Sequence, residues 1–121
     1  MTDLPSVEAY LEGKSPEGIA LFRRFEEIVH GCGPSEPAPR SSIVYWKRNR
    51  VFVGAFVNGR KLELSVDLFR EAEHPCLLAA FPTKRVITHP LRVADASQLD
   101  DSLEPLVVEA YEEVGPGFRG G

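Results

Sequence analysis

Two runs in the middle of the chain read as strands with Asn58-Gly59 between them: Val51-Phe52-Val53-Gly54-Ala55-Phe56-Val57, apolar throughout apart from its glycine, and Lys61-Leu62-Glu63-Leu64-Ser65-Val66, which alternates polar and apolar side chains. A period of two marks strands with one buried face, and Asn-Gly between such runs is the strongest short-range hairpin signal. A turn at Asn58-Gly59 sets Ala55 opposite Leu62, Val53 opposite Leu64 and Val51 opposite Val66 on one face. The other face then carries Phe56 opposite Lys61, Gly54 opposite Glu63 and Phe52 opposite Ser65. Upstream, a tight turn around Arg48-Asn49 adds a third strand with Val44 and Trp46 on the core side and Ile43 and Tyr45 beside Phe52 on the opposite one.

Helical spacing dominates both ends. Ser6 caps a short helix over Val7 to Leu11 that Gly13 stops, and Ser15-Pro16-Glu17 opens a longer one with a cap, a first-turn proline and an acid near the dipole's positive end. Ile19, Phe22, Phe25 and either Ile28 or Val29 form its core stripe, and Gly31, Gly33 and Pro34 close it. Pro37-Ala38-Pro39 then predicts a loop of eight to ten residues. Asp67 to Glu73 and Pro75 to Phe81 predict short helical or irregular pieces. Lys84 to Val93 predicts a last strand, held to an edge or bulge by Pro90. Leu103, Leu106, Val107, Ala110, Tyr111 and Val114 form one stripe of a final helix, capped by Ser102 or Asp101 with Asp100 nearby, and Gly115-Pro116-Gly117 ends it.

The order predicts one α+β domain over residues 1–114, a mainly antiparallel sheet of about four strands with the N- and C-terminal helices on one face, and a flexible tail over 115–121. A length of 121 residues suits one core. With no leading apolar run the chain is expected to be cytoplasmic, without a membrane partner, and Cys32 and Cys76 are then two reduced thiols.

Charge adds a candidate surface. The chain is net −4, yet residues 40–61 hold six basic and no acidic residues. An acidic protein with one basic sheet face attracts anions to that face, because local potential governs encounter.

Over nearly its whole length the chain resembles the bacterial domain of unknown function numbered fifty-six fifty-five, and more distantly it is similar to YdhG-like proteins. The resemblance rests on Ser6-Val7-Glu8-Ala9-Tyr10-Leu11, on Tyr45-Trp46-Lys47-Arg48 with Arg50 and Phe52, on the Leu62 and Leu64 strand, and on the closing helix from Leu106 to Tyr111-Glu112. It implies the fold and, through association with nuclease-like partners, a nucleic-acid context. Where relatives carry a His-aromatic-Gly stretch, this chain has Thr88-His89-Pro90-Leu91-Arg92.

Catalytic signatures are absent from the sequence. His30, His74 and His89 fit no metal spacing, the serines lack a nucleophile elbow, and the glycines form no phosphate loop, so neither metal nor cofactor is expected and no catalytic residue is assigned. The candidate is a binding face of Tyr45, Lys47, Arg50, Phe52, Phe56 and Lys61, joined by His89 and Arg92, on which a planar anionic ligand or single-stranded nucleic acid stacks on the rings while the cations hold its charge. Three alternatives compete with it. The 68–81 segment covers the face, the face self-associates as a homodimer, or an enzyme site joins His89 and Arg92 to Tyr45 and Lys47.

Overall fold

The computed structural model of the protein describes residues 3–99 and 101–117. The two runs flanking Asn58-Gly59 become its longest strands, β3 (Val51–Asn58) and β4 (Lys61–Leu68). Their turn is Gly59-Arg60 rather than Asn58-Gly59, since Asn58 pairs with Lys61. Gly59 has φ +62, and among the described residues only glycines have positive φ, which suits a hairpin turn that wants glycine at its first central position. Every pairing therefore slides by two residues, so that Ala55 faces Leu64 and Val53 faces Val66. A two-residue slide preserves the faces, because side chains alternate with the same period.

β2 (Val44–Lys47) joins in the same sense, Val44 facing Ala55 and Trp46 facing Val53. Between Trp46 and Lys47 the register shifts, leaving Phe52 without a partner while Lys47 faces Val51. This bulge sets two residues, Phe52 and Val53, against one, and both side chains are buried. Phe52 thus leaves the open face assigned to it by alternation. It meets Tyr111 edge-on in the core at 5.4 Å.

Three further strands complete a six-stranded sheet in the order β1-β2-β3-β4-β6-β5, antiparallel throughout, where about four were expected. β1 (Glu36–Pro39) occupies the expected loop. Its prolines alternate, and the Pro39 carbonyl points away from β2 to accept the Leu4 N–H at 2.9 Å. The donors that Pro37 and Pro39 lack would have faced that outer edge, which is why an edge strand tolerates them. β6 (Ile87–Val93) lies beside β4, with Pro90 opposite Ser65. Its other side pairs with β5 (Phe81–Pro82) and exchanges hydrogen bonds with the stretch before it, Leu78 N donating to Pro90 O and Arg92 N donating to Cys76 O. No short helix forms after Asp67; residues 69–80, irregular as one reading of Pro75 to Phe81 allowed, run as a margin along β6 rather than as a cover for the sheet.

The helices pack on the Trp46 side. α1 (Val7–Leu11) and α2 (Pro16–Cys32) are capped by Ser6 and Ser15 as their sequences require, and Phe22 and Phe25 meet Trp46 at 5.6 and 5.7 Å. α3 (Glu104–Glu109) continues as a π-helical turn over Ala110–Val114, closed by Gly115 N donating to Ala110 O. No side chain caps α3, because Leu103 holds the cap position and the Ser102 hydroxyl lies 2.9 Å from His74 Nε2. Gly115 is buried and its carbonyl accepts from the N–H groups of Asn49 and Arg50. The expected tail residues 118–121, and Asp100, lie outside the described residues.

Candidate functional site: the uncovered sheet face

Because every helix is spent on one side of the sheet, the other side has no second layer among the described residues. Cross-strand register fixes what stands on it. One row runs Ala38, Tyr45, Gly54, Ser65, Pro90; the next runs Phe56, Glu63, Arg92; on the far side of the first lie Asp67, Thr88 and Phe81. Gly54 is where Tyr45 gains its place. A Cβ there would sit 3.0 Å from Tyr45 Cδ1 and 3.2 Å from Ile43 Cδ1, so the phenol ring and the isoleucine lie against bare backbone. Phe56 is half-buried and touches the rim of the core.

The charges on this face are ordered by β4. Its outward residues Glu63 and Asp67 each hold an arginine, Arg92 at 3.4 Å and Arg50 at 3.5 Å, and their side chains are only 15% and 16% exposed. Glu63 also accepts from Asn58 Nδ2 at 2.6 Å, and Asp67 from the Thr88 hydroxyl at 2.9 Å. Burial pushes the Asp67 carboxyl above its ordinary value, and the Thr88 hydrogen bond and Arg50 pull only partly the other way. Lys47 and Lys61 are exposed, and among the described residues neither has a carboxylate within 4.0 Å.

Of the eight binding residues expected from sequence, Tyr45, Lys47, Phe56, Lys61 and Arg92 stand on this face, and Arg50 reaches it through Asp67. Two do not. Phe52 is turned into the core by the bulge. His89 is 1% exposed and on the helix side, where Nε2 accepts the Ala72 N–H at 2.9 Å and Nδ1 lies 3.1 Å from the Val66 carbonyl. The Ala72 bond makes Nε2 an acceptor, so Nδ1 carries the hydrogen and donates to Val66. A histidine satisfied in this way on the opposite side of the sheet cannot join Tyr45 and Lys47, which removes the enzyme site proposed from sequence. Sequence reasoning overlooked Asp67, Leu78 and Phe81. Asp67 had a signal, the unbroken alternation from Leu62 to Leu68; the placement of Leu78 and Phe81 depends on long-range pairing with β6 that no local pattern carries.

Among the described residues no three His, Cys, Asp or Glu side chains converge as metal ligands, and no helix is long and apolar enough to cross a membrane. The fold and site together define a small α+β domain with a one-sided helical layer and a bare, mixed-charge sheet face. The chain belongs to the family described as domain of unknown function DUF5655, whose model matches residues 7–114. Comparison with curated proteins and with solved structures returns no match.

Proposed function

We propose that this domain is a non-catalytic binding module whose working surface is the uncovered sheet face, and that its ligand is single-stranded nucleic acid. The supporting observation is that Tyr45 and Phe56 remain partly accessible on that face with Lys47 and Lys61 at its two ends. From strand rise and spacing the two lysines stand roughly 25 Å apart across three strands, a span that an extended strand of a few nucleotides covers. Rings supply stacking that tolerates any base, and the lysines supply phosphate contacts. Arg50 and Arg92, expected from sequence as anion ligands, are instead engaged by Asp67 and Glu63.

Fluorescence anisotropy of a labelled single-stranded octamer tests the reading. Affinity should fall with rising salt, with a slope of about −0.7 per phosphate contacted. Lys47→Glu with Lys61→Glu should lower it by at least about tenfold at low salt while leaving the fold intact. Binding that ignores both salt and the double substitution removes the proposal.

A specific observation favours a second reading, self-association. Leu78 and Phe81 are 49% and 58% exposed, and Phe81 pairs with Thr88 on the same uncovered face. A dimer by light scattering that survives high salt and is lost in Phe81→Lys would favour it.

A further inference from the structure

We propose that Glu63 and Asp67 read the edges of stacked bases and select guanine; the inference rests on the single-strand reading above. Its starting point is a repeated juxtaposition on the uncovered face. Glu63 is the direct cross-strand neighbour of Phe56, and Asp67 is joined through Thr88 to Phe81, so each carboxylate shares a row with an aromatic ring. Each is also fixed by an arginine, Arg92 or Arg50. The two carboxylates are four residues apart on one strand, about 13 Å by strand rise, and serve two separate bases rather than one.

Carboxylates at the centre of a face need a reason if phosphate is the only ligand chemistry, since they repel it. Their hydrogen-bond inventory supplies one. An ionised carboxylate offers about four acceptor sites and no donor. Glu63 uses Oε2 for Asn58 and Oε1 for Arg92; Asp67 uses Oδ1 for Thr88 and Oδ2 for Arg50. Each oxygen therefore retains acceptor capacity, and the pair asks for two adjacent donors in a plane. Among the bases guanine alone presents them, N1–H beside the N2 amino group on its Watson–Crick edge. Adenine and cytosine set an acceptor next to their amino group, and thymine or uracil flanks its single N–H with two carbonyls. A guanine stacked on Phe56 or Phe81 thus meets a matched edge reader beside the ring, as in other sheet surfaces that bind splayed bases.

The experiment uses four labelled octamers, all thymine except for two fixed positions that hold guanine, adenine, cytosine or thymine. The guanine octamer should bind about tenfold tighter than the other three. Glu63→Gln and Asp67→Asn should each erode that preference and together abolish it, while affinity for the all-thymine octamer rises as Arg92 and Arg50 are released toward phosphate. Equal binding of all four octamers by the unaltered protein overturns guanine selection and leaves the single-strand reading standing. No binding to any of them at low salt overturns both. Because the comparison among octamers needs no variant, a substitution that failed to fold would leave the test intact.

Discussion

On the helix side of the sheet Val44, Ala55, Leu64 and Leu91 lie side by side with almost no access to water, whereas one residue away along the same strands Tyr45, Ser65 and Pro90 stay partly wet. The alternation that produces both faces is identical; what differs is how polar atoms are satisfied. Among the described residues the covered face buries one polar or charged residue, His89, and holds it by two backbone partners, while the buried Trp46 indole Nε1 on the same side has none. The uncovered face keeps its carboxylates by pairing them with arginines and leaves two lysines to solvent. A satisfied polar group in the core is structure, and a partly satisfied one on a bare face is capacity for a ligand.

The sharpest way to break this contrast is to truncate residues that alternation alone would have put together. Phe52→Ala should cost about 3–5 kcal/mol in denaturant unfolding, as a fully buried ring does, while Tyr45→Ala should cost under about 1 kcal/mol. Similar losses for the two would mean that the bulge does not turn Phe52 inward. Next in size, His89→Leu orphans the Ala72 N–H and removes a side-chain donor from the Val66 carbonyl, and at about 1–3 kcal/mol for an unsatisfied buried group the variant should melt below the parent. An unchanged midpoint would show that the imidazole bridges nothing.

Gly54→Ala sharpens the contrast from the other side. The new methyl obliges Tyr45 and Ile43 to move by a few tenths of an ångström, a stability effect of about 1 kcal/mol, and it should disturb ligand binding more than it disturbs the fold. Binding at parental strength would detach Tyr45 from the site. The smallest effect is one of pH. Since burial raises the Asp67 carboxyl above its value in the unfolded chain, the folded state holds that proton more tightly. The contribution of Asp67 to stability therefore grows as pH falls from neutrality through its folded value toward 3.8, and is lost as pH rises. Against Asp67→Asn, the parent should gain relative stability on acidification; the opposite slope, measured by thermal melts from pH 7 to 4, would contradict the burial of this carboxyl.

Much of the fold was legible in the sequence because local signals and tertiary packing agree. Ser6 and Ser15 cap the helices they precede, and the stripe from Leu103 to Val114 is the buried one. The faces of the central hairpin were legible even though its turn lay one residue further on, since the slide was by an even number. Where reading failed, a local rule gave way to a distant partner. The prolines of β1 forbid an inner strand but permit an outer edge, and nothing in Glu36 to Pro39 reveals that Val44 to Lys47 will lie alongside. The bulge at Phe52 is similarly silent, because the run from Val51 to Val57 is apolar on both sides of it and no change of pattern marks the extra residue. The site shows the same division: side chains on regular strands stand on the side that alternation gives them, Phe52 is turned inward by the bulge, and His89, in phase with Leu91 and Val93, lies with them on the covered side.

The account turns on which side of the sheet meets ligand, and an amide-resolved NMR titration with a single-stranded octamer at low salt measures that directly. Shifts confined to Tyr45, Lys47, Phe56, Lys61 and their neighbours on the bare face are the expected result. Shifts centred on α2 and α3, or none at millimolar oligonucleotide, would contradict it.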